Sequence, residues 1–241
     1  MRILLTNDDG IASPALPQLA RWAMQLGDVT VVAPLVEQSG RSQAINFHSS
    51  FKVKKIDFLE GCDAYAVDST PADCVRFAIT GLHKQYDLMI SGINRGYNLG
   101  DDIAYSGTIG AIFEAARLNT RAIALSTDIH SFDSALSNLD NIYSFITENK
   151  LLEHANLLNI NFPTDKINGI CVTKQGGMFY TDEFVSCGDD MYMQVGEPLE
   201  SDSADLSIDI SAIRNGYISV TPLTSVKTDM IAYDKINIFK A

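Results

Sequence analysis

Short apolar runs alternate with segments in which apolar residues recur every three or four positions. The short runs are typical of buried strands and cover 2–6, 29–33, 87–91, 121–126 and 157–162. The amphipathic segments are typical of helices and cover 14–27, 69–82, 108–118 and 132–149. This alternation predicts an α/β fold with a mostly parallel sheet that helices cover on both faces.

Before Gly176, a long loop rich in Gly and Asn is expected over 92–107, and additional strand-like pieces are 51–56 and 64–67. Beyond Gly176 the alternation of strands and helices gives way to strand-like pieces over 178–185, 191–195 and 217–221. We therefore predict one domain, with a core over about 1–175 and a β-rich C-terminal extension over about 176–241. Because a β-hairpin that leaves the core needs a partner to cover its edges, we expect oligomerisation through this extension.

The net negative charge of the chain disfavours negatively charged partners. Eighteen Lys and Arg residues against 30 Asp and Glu residues give a net charge of −12, which repels nucleic-acid backbone and anionic membranes. The four cysteines lack Cys-x-x-Cys spacing, no signal-peptide pattern opens the chain, and no apolar run approaches the roughly 20 residues that span a bilayer. We expect a cytoplasmic protein that binds neither polynucleotide nor membrane.

Two adjacent carboxylates follow the first predicted strand, in Asn7-Asp8-Asp9-Gly10. The carboxyl ends of strands are where an open α/β sheet keeps its active site. Neighbouring carboxylates repel each other and are usually stabilised by an oxygen-binding cation such as Mg²⁺ or Mn²⁺. A metal site is one interpretation, and a polar turn that closes the strand is the other.

Two further loops are expected at the same edge of the sheet. Ser39 and Gly40 follow the second parallel strand and offer a hydroxyl and an unobstructed backbone amide, although Ser-Gly is also an ordinary turn pair. Asn94 and Asn98 lie in the Gly-rich segment 91–102. Their amide oxygens suit a hard cation and their NH₂ groups suit a phosphate, whereas the alternative is a wide structural connection.

The start of the helix predicted over 108–118 offers an anion site. Ser106-Gly107-Thr108 combines free backbone N–H groups, the positive end of the helix dipole and two hydroxyls. N-capping by Ser106 or Thr108 without any ligand is the alternative. The lysine of a P-loop is absent, and no Gly-x-Gly-x-x-Gly follows the first strand, which disfavours a dinucleotide-dependent oxidoreductase.

Together these loops would bring carboxylates, a hydroxyl, amides and a helix start to one edge, with almost no Lys or Arg. Metal-assisted hydrolysis of a phosphate ester requires a cation, a general base and donors for the developing negative charge. The four segments contain a residue for each of these roles.

Several ordered segments resemble the SurE (survival protein E) family of metal-dependent 5'-nucleotidases, and the resemblance covers nearly the whole chain. The segments are ILLTNDDG (3–10), AP (33–34), QSG (38–40), TPADCV (70–75), SGIN (91–94), NLG (98–100), YSGT (105–108), NIN (159–161) and SVTPL (219–223). A series of motifs in this order is far more specific than any one of them.

The resemblance implies a set of site residues. One divalent cation per subunit, Mg²⁺ or Mn²⁺, would be bound by four of them: Asp8, Asp9, Ser39 and Asn94. Asp8, Asp9 and Asn94 would form the catalytic set, and Asp8 is the preferred general base, although this role competes with metal binding for the same lone pairs. The residues implied in substrate and phosphate binding are Ser39, Gly40, Asn98, Ser106, Gly107 and Thr108.

The resemblance also implies a Rossmann-like three-layer α/β/α core and a homodimer or homotetramer with an extended hairpin and an exchanged C-terminal segment. The implied activity is hydrolysis of nucleoside 5'-monophosphates, with 3'-nucleotides and short polyphosphate as further substrates of some members. One alternative is a non-catalytic, metal-dependent nucleotide-binding protein with the same residues. Another is a receiver-type signalling domain, which requires a phosphoacceptor Asp where this chain has Ser91.

Overall fold

A computed structural model of the protein describes residues 1–164, 166–199 and 203–237. The strands in these ranges are β1 (Arg2–Thr6), β2 (Asp28–Pro34), β3 (Val53–Leu59), β4 (Cys62–Val67), β5 (Leu88–Arg95), β6 (Ala122–Thr127), β7 (Leu157–Phe162), β8 (Gly169–Val172), β9 (Glu183–Gly188), β10 (Met191–Val195) and β11 (Tyr217–Leu223). The α-helices are α1 (Ala15–Ala23), α2 (Pro71–Arg76), α3 (Gly107–Arg117), α4 (Asp133–Ser137), α5 (Leu139–Glu148), α6 (Leu151–His154), α7 (Asp209–Arg214) and α8 (Met230–Ile236).

One nine-stranded sheet forms the core, in the order β3-β4-β2-β1-β5-β6-β7-β11-β8. The run from β4 to β7 is parallel throughout, while β3 and β11 are antiparallel to their neighbours β4 and β7. The predicted mostly parallel sheet is therefore confirmed. Strands β9 and β10 form a separate antiparallel hairpin in the predicted extension. Strand β11 also falls in the predicted extension, yet it pairs within the main sheet.

Two apolar layers sandwich the sheet and explain why its central strands read as continuous apolar runs. Leu16 of α1 and Ile142 of α5 pack on one face, whereas Val75 of α2 and Ile112 of α3 pack on the other. Since side chains alternate between the faces of a strand, a strand covered on both sides is apolar at every position. None of the helices in the described ranges has the length and apolar character needed to cross a bilayer.

Strand β5 runs further than its sequence predicts. The prediction of a loop over 92–107 is wrong at its start, because β5 continues to Arg95 through a register shift between Ser91 and Asn94. Such a bulge accommodates an irregular sequence within a strand. Gly92 is required there, since its φ is +141° and an added Cβ would lie 2.4 Å from the carbonyl oxygen of Leu125. A 3₁₀ helix over Gly100–Ala104 occupies another part of the predicted loop.

The helix predicted over 132–149 is divided into α4 and α5 at Asn138. Asn138 has non-helical backbone angles, and its side-chain amide donates to the carbonyl oxygen of Ser134 at 2.9 Å. A short polar side chain that bonds to nearby backbone competes with the helix in this way. The helix predicted over 69–82 also differs, because α2 ends at Arg76 and a π-helical turn follows over Phe77–Gly81.

Candidate functional site

Three adjacent strands bring the first set of predicted residues to the carboxyl edge of the sheet. Strand β1 lies between β2 and β5. Asp8 and Asp9 follow the end of β1, Ser39 lies in the loop after β2, and Asn94 lies near the end of β5. The start of α3 approaches the same edge through its contact with Asp8. The parallel topology thus gathers residues that are far apart in the chain.

Asp8 is the point at which three of these segments meet. Its side chain is almost fully buried, and the Thr108 hydroxyl donates to Asp8 Oδ1 at 2.6 Å. The backbone N–H of Thr108 donates to Asp8 Oδ2 at 3.2 Å. The backbone N–H of Gln38 donates to the Asp8 carbonyl oxygen at 2.7 Å. Asp8 is therefore held in place by both the loop after β2 and the first turn of α3.

Gly107 allows α3 to approach Asp8 closely. A Cβ added to Gly107 would lie 3.0 Å from Asp8 Cβ, 3.1 Å from Asp8 Oδ2 and 3.2 Å from the carbonyl oxygen of Gln38. These distances are shorter than ordinary contacts between heavy atoms. A residue without a side chain is thus needed where the helix begins against the carboxylate.

Asp9 faces a cavity of about 280 Å³. The wall includes Asp9, Glu37, Ser39 and Arg95. The backbone N–H of Arg95 donates to Asp9 Oδ2 at 3.3 Å, and the Ser39 hydroxyl donates to Glu37 Oε1 at 2.7 Å. Because the Ser39 hydroxyl hydrogen is directed at Glu37, the lone pairs of Ser39 Oγ are available to coordinate a cation.

The two aspartates share an excess of negative charge. Burial raises the pKa of Asp8, and the negative charge of Glu37 raises it further. Hydrogen bonds, including those from Thr108, lower the pKa but do not outweigh burial. Burial and the charge of Asp8 raise the pKa of Asp9 to about 6, outweighing the N–H and positive charge of Arg95. Within the described ranges neither aspartate forms a salt bridge. A divalent cation would relieve this repulsion.

Asn94 presents its amide oxygen as a free acceptor. Its Nδ2 donates to the carbonyl oxygen of Gly96 at 2.7 Å, and no described donor contacts Oδ1. The next residue, Arg95, binds Asp9 through its backbone, so Asn94 is adjacent in sequence to a direct contact of the carboxylate pair. An amide oxygen oriented in this way is a suitable ligand for a hard cation.

Asn98 is anchored to β6 and β7. Its backbone N–H donates to Asn161 Oδ1 at 2.9 Å, its Nδ2 donates to the Ser126 hydroxyl at 2.7 Å, and its carbonyl oxygen accepts from Asn159 and Asn161. The hydrogen bonds of the described residues do not join Asn98 directly to Asp8 or Asp9. Sequence reasoning assigned no role to Ser126, Asn159 or Asn161. The sequence signal that could have identified Asn159 and Asn161 is the presence of two Asn residues, separated by one residue, in a strand whose residues are all buried.

Ser106 is the N-cap of α3. Its hydroxyl oxygen accepts from the backbone N–H of Ile109 at 3.1 Å, so the hydroxyl hydrogen is still available to donate. The capping alternative therefore applies to Ser106 without preventing it from contacting an anion. Thr108 differs, because its hydroxyl hydrogen is directed at Asp8.

The donor set at this edge consists of carboxylate, hydroxyl and amide oxygens. No group of three or more His, Cys, Asp or Glu residues in the described ranges is arranged to hold a metal. The oxygen atoms of Asp8, Asp9, Ser39 and Asn94 match the preference of Mg²⁺ and Mn²⁺.

Comparisons with known proteins agree with this architecture. The family profile described as Survival protein SurE matches residues 3–182. A protein named 5'-nucleotidase SurE from Pseudothermotoga lettingae is 40% identical over 235 residues, which is 93% of this chain and 89% of that one. The protein of the same name from Petrotoga mobilis is 38% identical, with 100% and 98% covered. The crystal structure of the SurE protein from Aquifex aeolicus has a TM-score of 0.83 at 33% identity, with 100% of both chains covered. The chain belongs to the SurE family.

Proposed function

We propose that this protein is a divalent-metal-dependent phosphatase that hydrolyses nucleoside 5'-monophosphates to nucleoside and phosphate. The observation that carries the proposal is the adjacent pair of a buried Asp8 and a half-buried Asp9, which forms no salt bridge in the described ranges. Asp8 of this pair lies against the start of α3. The curated relatives named 5'-nucleotidase SurE support the substrate class.

The proposed cation ligands are Asp8, Asp9, Ser39 and Asn94. The donor set fits one Mg²⁺ or Mn²⁺ per subunit, because each ligand is an oxygen and the two carboxylates supply the compensating charge. When bound, such a cation polarises a phosphoryl oxygen and lowers the pKa of a coordinated water. The protein holds the ligands in advance through the contacts of Thr108 and Arg95 with the two carboxylates.

The proposed phosphate site lies at the start of α3. The Ser106 hydroxyl and the backbone N–H of Gly107 point to no described acceptor, and the helix dipole favours an anion at this position. The backbone N–H of Gly40 and the side chain of Asn98 are the further proposed phosphate contacts. Thr108 would act mainly by fixing Asp8, since its hydroxyl and backbone N–H both donate to that carboxylate.

Asp8 is the proposed general base. Each of its oxygens accepts one hydrogen bond from Thr108 and keeps a second lone-pair direction. A base fixed in this way would hold the proton of the attacking water while the oxygen approaches phosphorus. The donors at the start of α3 would stabilise the charge that develops on the phosphoryl oxygens.

Phosphate release from a panel of substrates tests the proposal. The panel contains nucleoside 5'- and 3'-monophosphates and short polyphosphate, each assayed with Mg²⁺, Mn²⁺ or EDTA. We expect 5'-monophosphates to be hydrolysed with metal and not with EDTA, and the panel decides whether 3'-nucleotides and polyphosphate are additional substrates. Metal-dependent binding of nucleotides without phosphate release would contradict the proposal and support the non-catalytic alternative.

We also propose a cytoplasmic homodimer or homotetramer. The hairpin of β9 and β10 lies outside the main sheet and exposes Phe184 and Tyr192, and α8 exposes Ile231. Apolar side chains on an unpaired hairpin favour a second copy as partner. Light scattering coupled to gel filtration should give two or four times the mass of one chain. A single-chain mass would contradict this assembly.

A further inference from the structure

Asp209, the first residue of α7, is a buried carboxylate to which the proposed reaction gives no role. Its side chain is fully buried. Asp209 Oδ1 accepts from the backbone N–H groups of Gly176 and Ile210, both at 2.8 Å, and Oδ2 accepts from the backbone N–H of Gly100 at 2.9 Å. It forms no salt bridge with the residues that the structure describes. Backbone N–H groups from three segments therefore stabilise this buried charge.

The contact with Gly100 joins α7 to the segment that contains Asn98. Gly100 lies two residues beyond Asn98, whose side chain is a proposed phosphate contact. The backbone of Asn98 is already held by Asn161 of β7. Asp209 holds the same segment from the other end, although it lies 109 positions away from Gly100 in the chain. The segment 98–100 is thus fixed between β7 and α7.

The two neighbours of Asn98 also pack against the C-terminal part of the chain. Leu99 is fully buried in a small apolar cluster that is separate from the two layers on the main sheet. The other buried members of this cluster are Phe179, Ile210 and Ile213. The rings of Tyr97 and Phe179 meet edge to face, with their centroids 6.4 Å apart. Residues beyond Gly176 therefore support the phosphate-contact segment on both sides of Asn98.

We propose that Asp209 is a positioning residue for the phosphate site, which acts by holding Gly100 so that the Asn98 side chain stays directed at phosphate. One hydrogen of Asn98 Nδ2 is donated to the Ser126 hydroxyl, and the second hydrogen is available for an anion. A donor that is fixed in advance loses less conformational freedom when it binds its ligand. This inference rests on the proposed function for the role of Asn98.

Asp209→Asn breaks the contact with Gly100 while it preserves the size of the side chain. The amide retains one oxygen, which can still accept from Gly176 and Ile210 in place of Oδ1. Its NH₂ group then faces the backbone N–H of Gly100, and two donors repel each other. The opposite orientation of the amide would set the NH₂ against two N–H groups and is less favourable. Gly100 must therefore shift.

Steady-state kinetics and calorimetry test the proposal. In Asp209→Asn we expect the KM for a 5'-monophosphate and the Kd of inorganic phosphate, measured with Mn²⁺, to rise by about 10-fold, with kcat within about 3-fold of the wild type. Binding of Mn²⁺ alone should be unchanged, because the proposed cation ligands lie outside the segment 98–100.

Asp205→Asn is the matched control. Asp205 is exposed and accepts from the backbone N–H of Ser207 at 2.9 Å, and the described hydrogen bonds of its side chain do not reach the segment 98–100. The variant makes the same change of charge four residues before Asp209. It should leave the KM, the phosphate Kd and Mn²⁺ binding as in the wild type.

A role in stability alone gives a different result. Loss of folded protein would lower the apparent kcat of Asp209→Asn and leave its KM and phosphate Kd unchanged, and that outcome would overturn the proposal. Thermal melting shows whether the variant is folded. If it is not, Leu99→Val is the second variant, because it trims the buried anchor of the same segment and keeps the carboxylate. We expect its phosphate Kd to rise by about 3-fold, and an unchanged Kd would overturn the proposal.

Failure of the proposed function can be distinguished from failure of this inference. A wild type that hydrolyses no nucleotide would refute the proposed function, and the titration with inorganic phosphate and Mn²⁺ then decides the role of Asp209. Weaker phosphate binding by Asp209→Asn than by the wild type and Asp205→Asn supports the positioning role. Equal binding by all three proteins, or no binding by the wild type, overturns it.

Discussion

The two ends of the parallel sheet carry different kinds of carboxylate. At the amino ends of β2 and β4, a cavity of about 720 Å³ contains Asp63, whose oxygens lie 2.7 Å from Lys55 Nζ and 3.0 Å from Lys84 Nζ. Hydrogen bonds from these lysines lower the pKa of Asp63. At the carboxyl ends, the smaller cavity beside Asp9 has a carboxylate whose pKa is raised to about 6.

This contrast shows that charge balance is more informative than cavity size. Asp63 is already neutralised by the protein, so a cation has little to gain there. Asp8 and Asp9 have burial and mutual repulsion to overcome, which a bound cation would relieve. The end of the sheet with the smaller cavity is therefore the better location for metal chemistry.

Removal of one charge at the carboxyl end should have the largest effect. Asp8→Asn keeps an oxygen acceptor for Thr108 but halves the charge of the proposed metal site, so we expect kcat/KM to fall by roughly 10³-fold or more. Steady-state assays with a 5'-monophosphate and Mn²⁺ measure this, and circular dichroism checks the fold. Activity within 10-fold of the wild type, as an order-of-magnitude criterion, would mean that Asp8 is not part of the site.

Gly107→Ala should have the next largest effect. The added methyl would lie 3.0 Å from Asp8 Cβ, so the carboxylate or the helix start must shift. A displacement of this kind should lower kcat/KM by about 10-fold to 100-fold. Gly177→Ala is the matched control, since an added Cβ there meets nothing within 4 Å. Equal activity of the two variants would show that the close contact at Gly107 does not affect catalysis.

Glu114→Gln should affect stability rather than chemistry. Glu114 is buried and contacts Arg76 at 3.0 Å and Arg117 at 2.7 Å. Removing its charge should cost about 2 kcal/mol in the free energy of unfolding, because three charge-assisted hydrogen bonds weaken, one from Arg76 and two from Arg117. Urea denaturation at neutral pH measures this difference. No loss of stability would show that the two arginines contribute little.

The same residue gives a pH dependence. Burial alone would raise the pKa of Glu114, but hydrogen bonds from Arg117, Gln43 and Arg76 outweigh it and lower the pKa below its ordinary value of 4.5. The folded protein therefore binds this proton less tightly than the unfolded chain. The stabilisation is present above pH 4.5 and is lost as the pH falls through the folded value. The stability difference between wild type and Glu114→Gln should shrink over that range.

Asp63→Asn at the amino end should have the smallest effect. Its ion pairs are largely exposed, and such pairs contribute little to stability. We expect a change in Tm of about 2 °C at most. Differential scanning calorimetry measures the Tm, and the phosphatase assay should show unchanged activity. A large loss of activity would remove the distinction between the two ends of the sheet.

Much of the fold could be predicted from the sequence, because buried parallel strands have a strong pattern. The predicted bounds of β1 and β7 are those observed, since each is an apolar run with clear breaks at its ends. The continuation of β5 and the division at Asn138 were missed. Both depend on a local departure from regular structure, a bulge in one case and a side chain bonded to backbone in the other.

The candidate site could be predicted only as a set of segments. The strand ends place Asp8 and α3 at one edge, but the hydrogen bond from Thr108 to Asp8 joins residues separated by 100 positions. The support of Asn98 by Asn161 depends in the same way on the packing of β7. Contacts of this kind require the folded arrangement, because no local pattern in the sequence determines them.

Calorimetric titration with Mn²⁺ tests the central claim most directly. Wild type, the double variant Asp8→Asn with Asp9→Asn, and Asp63→Asn would be compared under the same conditions. The account predicts one Mn²⁺ per chain in wild type and Asp63→Asn, and no measurable binding in the double variant. Equal binding in all three proteins would contradict a metal site at the carboxyl end of the sheet.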